Sequence, residues 1–237
     1  MSNFTTWRSL VDGEEVGGIP DSGVFQDSQV QWWAGEGIDV DDGQQTSGWQ
    51  DVLLDATATD VGAPTFRADQ AGFPAVEYDG VDDGHDFPSF SGIPTGSDPI
   101  SFAATVYLPS LQSSTLFGYG NDTTNEAHEF RFEDDGNVRW GHWSGTVASG
   151  GDYPTGEWIT TGGRTDGDTV TVFLNGTNVS SDTGATANVP DENRGFGYRS
   201  VGGRTEAYKD GFINEILVSN GAESDQAFED YHNDRLG

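Results

Sequence analysis

Residues 210–237 read DGFINEILVSNGAESDQAFEDYHNDRLG, and this stretch decides what kind of fold the chain adopts. Its apolar run is interrupted only by one Asn-Glu pair, as in a strand that is covered on both faces. Asn220-Gly221 is a turn signal, and Ser224 can cap the start of a helix. The pattern therefore predicts a buried strand followed by a short docking helix near residues 224–235.

Short strands with alternating apolar residues precede this closing unit. The segments ISFAATVYL (100–108), HEFRFE (128–133) and DTVTVFL (168–174) each place their apolar side chains on one face. Asn175-Gly176 follows the third segment directly, and both residues tolerate the positive φ of a tight hairpin. With a strand at 211–218, these segments predict an all-β fold, a two-sheet antiparallel β-sandwich in which each sheet has one buried face and one face in water.

The domain organisation follows from where this pattern begins. Residues 1–28 have weak periodicity and form either an N-terminal arm or the first edge of the sandwich. Residues 29–237 are predicted to be one sandwich domain, since sandwiches of this size commonly have a single core. The expected interface with a partner is an edge strand or the N-terminal arm, which contains Phe4, Trp7 and Leu10.

The charge of the chain restricts its partners. Forty acidic residues against 10 basic ones give a net charge of -30, which repels nucleic acid and anionic membrane surfaces. No apolar run approaches the length of a membrane span, and the first residues lack the pattern of a signal peptide. Such acidic, lysine-poor composition resembles that of proteins from extreme halophiles, with an acidic surface at ordinary salt as the alternative. The chain has no cysteine, so disulfides and thiolate metal sites are excluded.

Three landmarks occur in a characteristic order along the chain: AVEYDGVDDGHDF (75–87), EWITTGGRTDGDTVTVFLNGTNV (157–179) and the closing strand and helix. Together they resemble the laminin-G-like branch of the concanavalin A-like lectin/glucanase superfamily, over about residues 30–237. The resemblance implies a jelly-roll, concanavalin A-like sandwich with a short C-terminal helix. It does not imply one function, because function depends on the site that a fold carries.

Glycanases with this fold use two carboxylates on one strand face. The nearest match is Glu129-Phe130-Arg131-Phe132-Glu133, in which Arg131 stands where the pattern requires an acid. No catalytic residue is assigned, and the chain is predicted not to be an enzyme. The four histidines, His85, His128, His142 and His232, include no pair with metalloprotease spacing.

Aromatic residues are the stronger signal for a ligand. Trp143 and the Trp32-Trp33 pair are candidates for stacking on a sugar ring, whereas Trp140 and Trp158 are expected in the core. Polar neighbours would bind the sugar hydroxyls. The candidates for that role are Asp134, Asp135 and Arg139.

Calcium is the candidate ion, although no cofactor is assigned. Laminin-G-like domains frequently bind calcium at loop carboxylates, and Asp79, Asp82 and Asp83 form one such cluster. A second run contains Asp39, Asp41 and Asp42. In so acidic a chain, clusters of this kind also arise by chance.

These observations predict a non-enzymatic, lectin-like module on the surface of a virus particle, such as a turret, spike or tail fibre. A particle carries its proteins outside the host without a signal peptide, and halophilic composition indicates a haloarchaeal host. The expected partners are further copies of the chain in a homo-oligomer, other virion proteins, and a host-surface glycan or glycoprotein. The alternative is a halophilic glycan-processing enzyme or the adhesin domain of a cell-surface protein.

Salt should stabilise the protein if its composition is an adaptation to brine. Raising NaCl or KCl from about 0.1 M to several molar shortens the screening length to roughly 3 Å and weakens the repulsion between carboxylates. We expect the melting temperature, measured by circular dichroism, to rise continuously over that range. A melting temperature that does not change would contradict the halophilic interpretation.

Overall fold

The computed structural model describes residues 10–11, 14–15, 25, 28–54, 56–90, 92–184, 186–203 and 208–237 of the chain. Phe4, Trp7 and the side chain of Leu10 lie outside the described residues. The predicted role of the arm in an interface and the predicted domain boundary after residue 28 therefore stay predictions.

The described part of the chain consists mainly of short strands. In chain order the strands are β1 (Leu10–Val11), β2 (Glu14–Glu15), β3 (Ser28–Trp33), β4 (Trp49–Gln50), β5 (Thr57–Val61), β6 (Thr65–Gln70), β7 (Phe73–Asp79), β8 (Gly84–Asp86), β9 (Ile100–Tyr107), β10 (Ser114–Gly120), β11 (Ala127–Phe132), β12 (Val138–His142), β13 (Val147–Gly150), β14 (Trp158–Asp166), β15 (Thr169–Leu174), β16 (Thr177–Thr183), β17 (Gly195–Phe196) and β18 (Asp210–Ser219). The helices are α1 (Ala34–Gly37) and α2 (Asp225–Leu236), and Val201–Gly203 form a 3₁₀ turn. Neither of these two helices is long and apolar enough to cross a membrane.

Two antiparallel sheets form a sandwich. Sheet I has the order β16-β15-β14-β9-β18-β7-β6, and β3 also pairs with β18. Sheet II has the order β13-β12-β11-β10-β17-β8-β5-β4, and β1 pairs only with β2. This architecture confirms the predicted all-β sandwich with a short C-terminal helix. The four predicted strands and the helix agree with β9, β11, β15, β18 and α2 to within one or two residues.

Aromatic side chains from both sheets fill the space between them. Phe102 of sheet I stacks on Phe117 of sheet II with ring centres 4.6 Å apart, and Trp140 lies 6.1 Å from Phe102. All three are fully buried, and burial of one such side chain contributes about 1.5–3 kcal/mol to folding. The core thus confirms the inward face predicted for residues 100–108 and the core position predicted for Trp140.

Strand β18 is buried on both faces, as its apolar run predicts. Ile213, Ile216 and Val218 face the core between the sheets, whereas Leu217 packs on the opposite side. A β-bulge between Ile213 and Glu215 interrupts the alternation, which is why residues three apart face the same way.

Helix α2 covers the outer face of sheet I. Its N-cap is Ser224, whose Oγ accepts a hydrogen bond from the Ala227 amide at 3.1 Å. Phe228 stacks on Phe173 of β15 with ring centres 3.7 Å apart, and Tyr231 is also buried. The docking helix predicted from the sequence is therefore confirmed.

The expectation that each sheet has one face in water is wrong for sheet I. Ser101, Ala103 and Thr105 point away from the core of the sandwich, yet all three are fully buried. They are buried because α2 and its contacts lie over this face. The Thr105 hydroxyl forms a hydrogen bond of 2.8 Å with the Tyr231 hydroxyl.

A buried ion pair holds α2 in place. Glu215 of β18 is fully buried under the helix and receives two contacts of 2.8 Å from the Arg235 guanidinium. The Tyr231 hydroxyl donates to the same carboxylate at 3.1 Å, and the Gln31 side-chain amide donates to it as well. The carboxylate thus has a charged partner and further donors, as a buried charge requires.

Removal of Arg235 should destabilise the protein strongly. Arg235→Met leaves Glu215 buried without its cation, and we expect the free energy of unfolding to fall by about 3–5 kcal/mol. Arg67→Met is the matched control, because Arg67 and Glu77 form an ion pair in which both side chains are more than a third exposed. That variant should lose less than about 1 kcal/mol. Urea denaturation at constant high salt measures both losses, and equal losses would contradict the role of the buried pair.

Candidate functional site

The outer face of sheet II carries a cluster of charged side chains. Thr115, Arg131 and Arg139 lie directly opposite one another on β10, β11 and β12. They point outward because their neighbours along the strands, such as Phe130 and Trp140, fill the core. Glu129 lies two residues before Arg131 and shares its face.

Residues 198–203, here termed the covering segment, lie over part of this face. Tyr198 packs directly on Gly84 of β8, where a Cβ atom would come within 2.4 Å of the tyrosine ring. The Val201 side chain packs over Gly118 of β10 in the same way, and the Ser200 hydroxyl donates to the Gly118 carbonyl at 3.2 Å. Glycines on the sheet therefore allow the covering segment to approach the strands closely.

The covering segment brings Arg199 onto Glu129. The Arg199 Nε donates to Glu129 Oε1 at 2.7 Å, and the Thr115 hydroxyl donates to the same oxygen at 3.0 Å. The guanidinium carbon also lies 5.1 Å from the centre of the Trp143 ring, which is a cation–π distance. Glu129 and Arg199 are buried, whereas Trp143 is half-buried. We term these three residues the Trp143 platform: a partly exposed aromatic ring supported by a buried ion pair.

Two arginines extend this face beyond the Trp143 platform. Arg131 and Arg139 are opposite each other on adjacent strands, an arrangement that destabilises a sheet unless an anion lies nearby. Glu133 supplies that anion, at 3.7 Å from Arg131 and 3.6 Å from Arg139. Among these charged side chains, Arg131, Arg139 and Arg199 outnumber Glu129 and Glu133, whereas the whole chain has a net charge of -30. This group of side chains is therefore less negative than the chain as a whole.

Of the three polar residues predicted to lie beside Trp143, two lie far from its ring. Asp134 and Asp135 are exposed in the turn between β11 and β12, where Asp135 accepts a hydrogen bond of 3.0 Å from the Asn137 amide. Trp143 lies at the other end of β12, so the length of that strand separates the ring from both aspartates. Arg139 lies on β12, four residues before Trp143, which is in the turn after that strand.

The structure corrects the prediction for the Trp32-Trp33 pair. Trp32 is fully buried between the sheets, 5.3 Å from both Phe87 and Phe196, and no ligand can reach its ring. Trp33 is only 4% exposed and packs against Gly35. Successive residues of a strand face opposite sides, so one ring enters the core and the other lies on the outer face of sheet I.

Trp33 contributes to a surface cleft beside the end of α2. The cleft is also lined by Gly72, Phe73, Pro74, Asn214, Asp234 and Arg235. Its cation, Arg235, is already engaged by Glu215, as described above. The cleft is therefore a weaker ligand site than the outer face of sheet II.

The prediction that Trp158 lies in the core is wrong. Trp158 is half-buried on sheet I, and its ring nitrogen donates to the Gln70 carbonyl at 3.0 Å.

The predicted calcium ligands do converge. Oxygen atoms of Asp79, at the end of β7, and of Asp82 and Asp83, in the turn that follows, lie within 4.8 Å of one another. Burial raises the pKa of Asp83, and the two neighbouring carboxylates raise it further. Asp83 also accepts hydrogen bonds from the Ala63 and Asp79 amides, at 2.7 and 3.1 Å. Calcium takes six to eight oxygens, of which this turn supplies three, so calcium binding stays a prediction.

The second aspartate run gives no comparable cluster. Asp39, Asp41 and Asp42 are exposed, and Asp42 accepts a hydrogen bond of 2.9 Å from the Ala68 amide.

Two residues of the outer face of sheet II, Arg199 and Thr115, could not be recognised as site residues from the sequence, because neither belongs to a local motif.

Comparison with known proteins identifies a family. The Laminin_G_3 family, described as the concanavalin A-like lectin/glucanases superfamily, matches residues 79–227, which is more than half of the chain. No curated protein matches the sequence.

Several solved structures resemble the fold. Domain 4 of AbnA, an extracellular arabinanase from Geobacillus stearothermophilus in complex with arabinotriose, superposes with a TM-score of 0.62 at 17% identity, over 86% of this chain and 98% of that domain. The sialidase of Trypanosoma rangeli in complex with sialic acid gives 0.64 at 14% identity, over 97% of this chain but only 36% of the sialidase. The CBM40 of the Ruminococcus gnavus IT-sialidase, bound to α2,3-sialyllactose, gives 0.54 at 12% identity, over 67% of this chain and 96% of that one. At these identities the likeness is one of fold.

Proposed function

The chain belongs to the concanavalin A-like lectin/glucanases superfamily, and we propose that it is a non-enzymatic carbohydrate-binding module that uses the outer face of sheet II. The observation that carries the proposal is the Trp143 platform. A half-buried tryptophan ring rests there on a guanidinium that a buried carboxylate holds in place.

This arrangement suits a sugar ring. The C–H face of a pyranose or furanose packs on an aromatic ring, while neighbouring polar groups bind its hydroxyls. A buried ion pair contributes little net stability, since the cost of desolvating both charges offsets their attraction. The pair instead fixes the position of Trp143 before the ligand arrives, which lowers the entropy lost on binding.

The same face favours an oligosaccharide with an acidic group. Arg139 on β12 and Trp143 in the turn after it are four residues apart, a span of up to about 13 Å that exceeds a single sugar ring. Arg131 and Arg139 share one carboxylate, Glu133, and so retain N–H donors for a carboxylate on the ligand. Bound sialic acid, sialyllactose and arabinotriose in the similar structures support a glycan as the ligand.

The charges on this face favour binding over hydrolysis. Glycoside hydrolysis uses two carboxyl groups, one of which gives a proton to the leaving group. Here both glutamates of the face are engaged by guanidinium groups, Glu129 by Arg199 and Glu133 by Arg131 and Arg139. The alternative, a halophilic glycan-processing enzyme, requires a carboxylate that is free to act.

Substitution of Trp143 should abolish most glycan binding. We expect Trp143→Ala to weaken binding of α2,3-sialyllactose by at least about tenfold, or about 1.4 kcal/mol, in calorimetric titrations at high salt. Arabinotriose, which has no acidic group, tests whether the arginines select the charge. Trp158→Phe is the control, because Trp158 is also half-buried but lies on sheet I. Unchanged binding by Trp143→Ala would contradict the site, and release of shorter sugars would favour the enzyme.

A narrower proposal concerns where the module acts. We propose that it is displayed on a virus particle as a homo-oligomer, with other virion proteins as partners and a host-surface glycan or glycoprotein as ligand. The strongly acidic composition and the lectin-like fold support this assignment. Single shallow sites bind sugars weakly, and repetition around a symmetry axis increases avidity by roughly 10²-fold or more. The adhesin domain of a cell-surface protein is the alternative.

Particle composition and molecular size test the narrower proposal. The chain should co-purify with virus particles in constant stoichiometry, and its mass in high salt, measured by light scattering, should exceed 25.4 kDa several-fold. A monomer that is absent from particles would exclude the virion assignment without affecting the Trp143 site.

A further inference from the structure

Two histidines face each other on the inner side of sheet II. His128 of β11 and His142 of β12 are directly opposite in the antiparallel register, and their ring centres are 4.9 Å apart. Each is only 1% exposed. His128 also stacks on Trp140 with nearly parallel rings, which fixes its orientation. The pair therefore lies in a rigid part of the core, at the strand end that precedes Trp143.

Three of the four ring nitrogens of this pair have no hydrogen-bond partner within the described part of the chain. Nδ1 of His128 and both ring nitrogens of His142 are buried without a hydrogen bond. Buried polar atoms nearly always have a partner, so three buried nitrogens that the described residues leave unpaired point to a ligand site. A neutral imidazole has one ring nitrogen whose lone pair can bind a metal ion, so each ring can supply one ligand atom.

A fourth buried polar atom without a partner lies beside His142. Asn125 Oδ1 is buried and also lacks a hydrogen-bond partner among the described residues. A Cβ placed on Gly145 would be 1.8 Å from this oxygen and 3.2 Å from His142 Cβ, so the oxygen lies within about 5 Å of His142 Cβ. The Asn125 amide donates to the Trp143 carbonyl at 2.9 Å, and its side-chain NH₂ donates to the Thr186 hydroxyl at 2.8 Å. These bonds orient the side chain at the turn that follows His142.

The spacing of the rings fits a metal ion. Imidazole nitrogens bind Zn²⁺ at about 2.0–2.1 Å, and tetrahedral angles then place the centres of two ligating rings about 5 Å apart. The observed separation is 4.9 Å. Neutral imidazoles suit borderline divalent transition ions such as Zn²⁺, Co²⁺ and Cu²⁺, whereas Ca²⁺ prefers oxygen ligands.

We propose that His128 and His142 bind one borderline divalent transition-metal ion, with Asn125 Oδ1 as a third ligand. The site is separate from the acidic turn at Asp79, Asp82 and Asp83 and does not depend on glycan binding. An ion there ties β11 to β12 and holds the turn that carries Trp143, which directly follows His142 in the chain.

Metal uptake by the full chain tests the proposal. Because the site is buried, the protein is unfolded in urea with a chelator and refolded at high salt with excess Zn²⁺ or Co²⁺, then desalted. We expect one Zn²⁺ per chain by elemental analysis, the visible absorption of low-symmetry Co²⁺, and a higher melting temperature than after refolding without metal. A chain that refolds fully yet retains no Zn²⁺ or Co²⁺ would overturn the proposal.

Substitution of single histidines shows which of them retain the metal ion. His128→Gln and His142→Gln should each reduce Zn²⁺ retention at least tenfold, whereas His232→Gln, on α2, should retain it fully. Asn125→Asp should increase Zn²⁺ affinity at least tenfold, since a carboxylate replaces a neutral oxygen. This gain is measurable even if the core histidine variants fail to refold. Equal retention by folded histidine variants, or unchanged affinity of a folded Asn125→Asp variant, would show that these residues are not ligands.

Discussion

Burial of both faces of strand β18 is the constraint on which the sandwich depends. This strand lies in the middle of sheet I, pairing with β9 along one edge and with β7 and β3 along the other. Its inner side chains require sheet II as a cover, and its outer side chains require α2. An apolar strand with water on either side would lose much of the burial that offsets the conformational entropy of folding. The helix that follows β18 is therefore part of the core and not an appendage.

Each sheet buries one glutamate–arginine pair on its outer face. Glu215 and Arg235 hold α2 on sheet I, while Glu129 and Arg199 hold the covering segment on sheet II. In both cases the arginine comes from another segment of the chain, 20 residues away on sheet I and 70 residues away on sheet II, and reaches a carboxylate on a strand. Truncation of either partner leaves an uncompensated buried charge, so the pairs select one position for each covering element. On sheet I the pair holds the helix α2 in place. On sheet II the pair positions the Trp143 ring, which we assign to sugar binding.

Basic residues are scarce in this chain, and several are used in buried positions. Its single lysine, Lys209, is fully buried with its ammonium 5.9 Å from the centre of the Tyr78 ring. Burial lowers the pKa of Lys209 to about 7. Salt screens exposed charge pairs much more than buried ones, so the buried pairs persist at salt concentrations that weaken surface pairs. Arg131 and Arg139 remain partly accessible, on the face that we assign to an acidic glycan.

Local features of this protein could be predicted from its residues alone, because short-range physical chemistry governs them. Alternation placed Ile100, Phe102 and their neighbours in the core, Ser224 capped α2, and Asn175-Gly176 joined β15 to β16 with positive φ at both positions. The clusters that suggest function could not be predicted in this way. Arg199 meets Glu129 across 70 residues, and His128 faces His142 only through the register of the β11–β12 hairpin. The burial of Trp32 and Thr105 likewise depends on which element covers each sheet face. Such contacts follow from long-range packing, in which the identity of a residue does not reveal its neighbours.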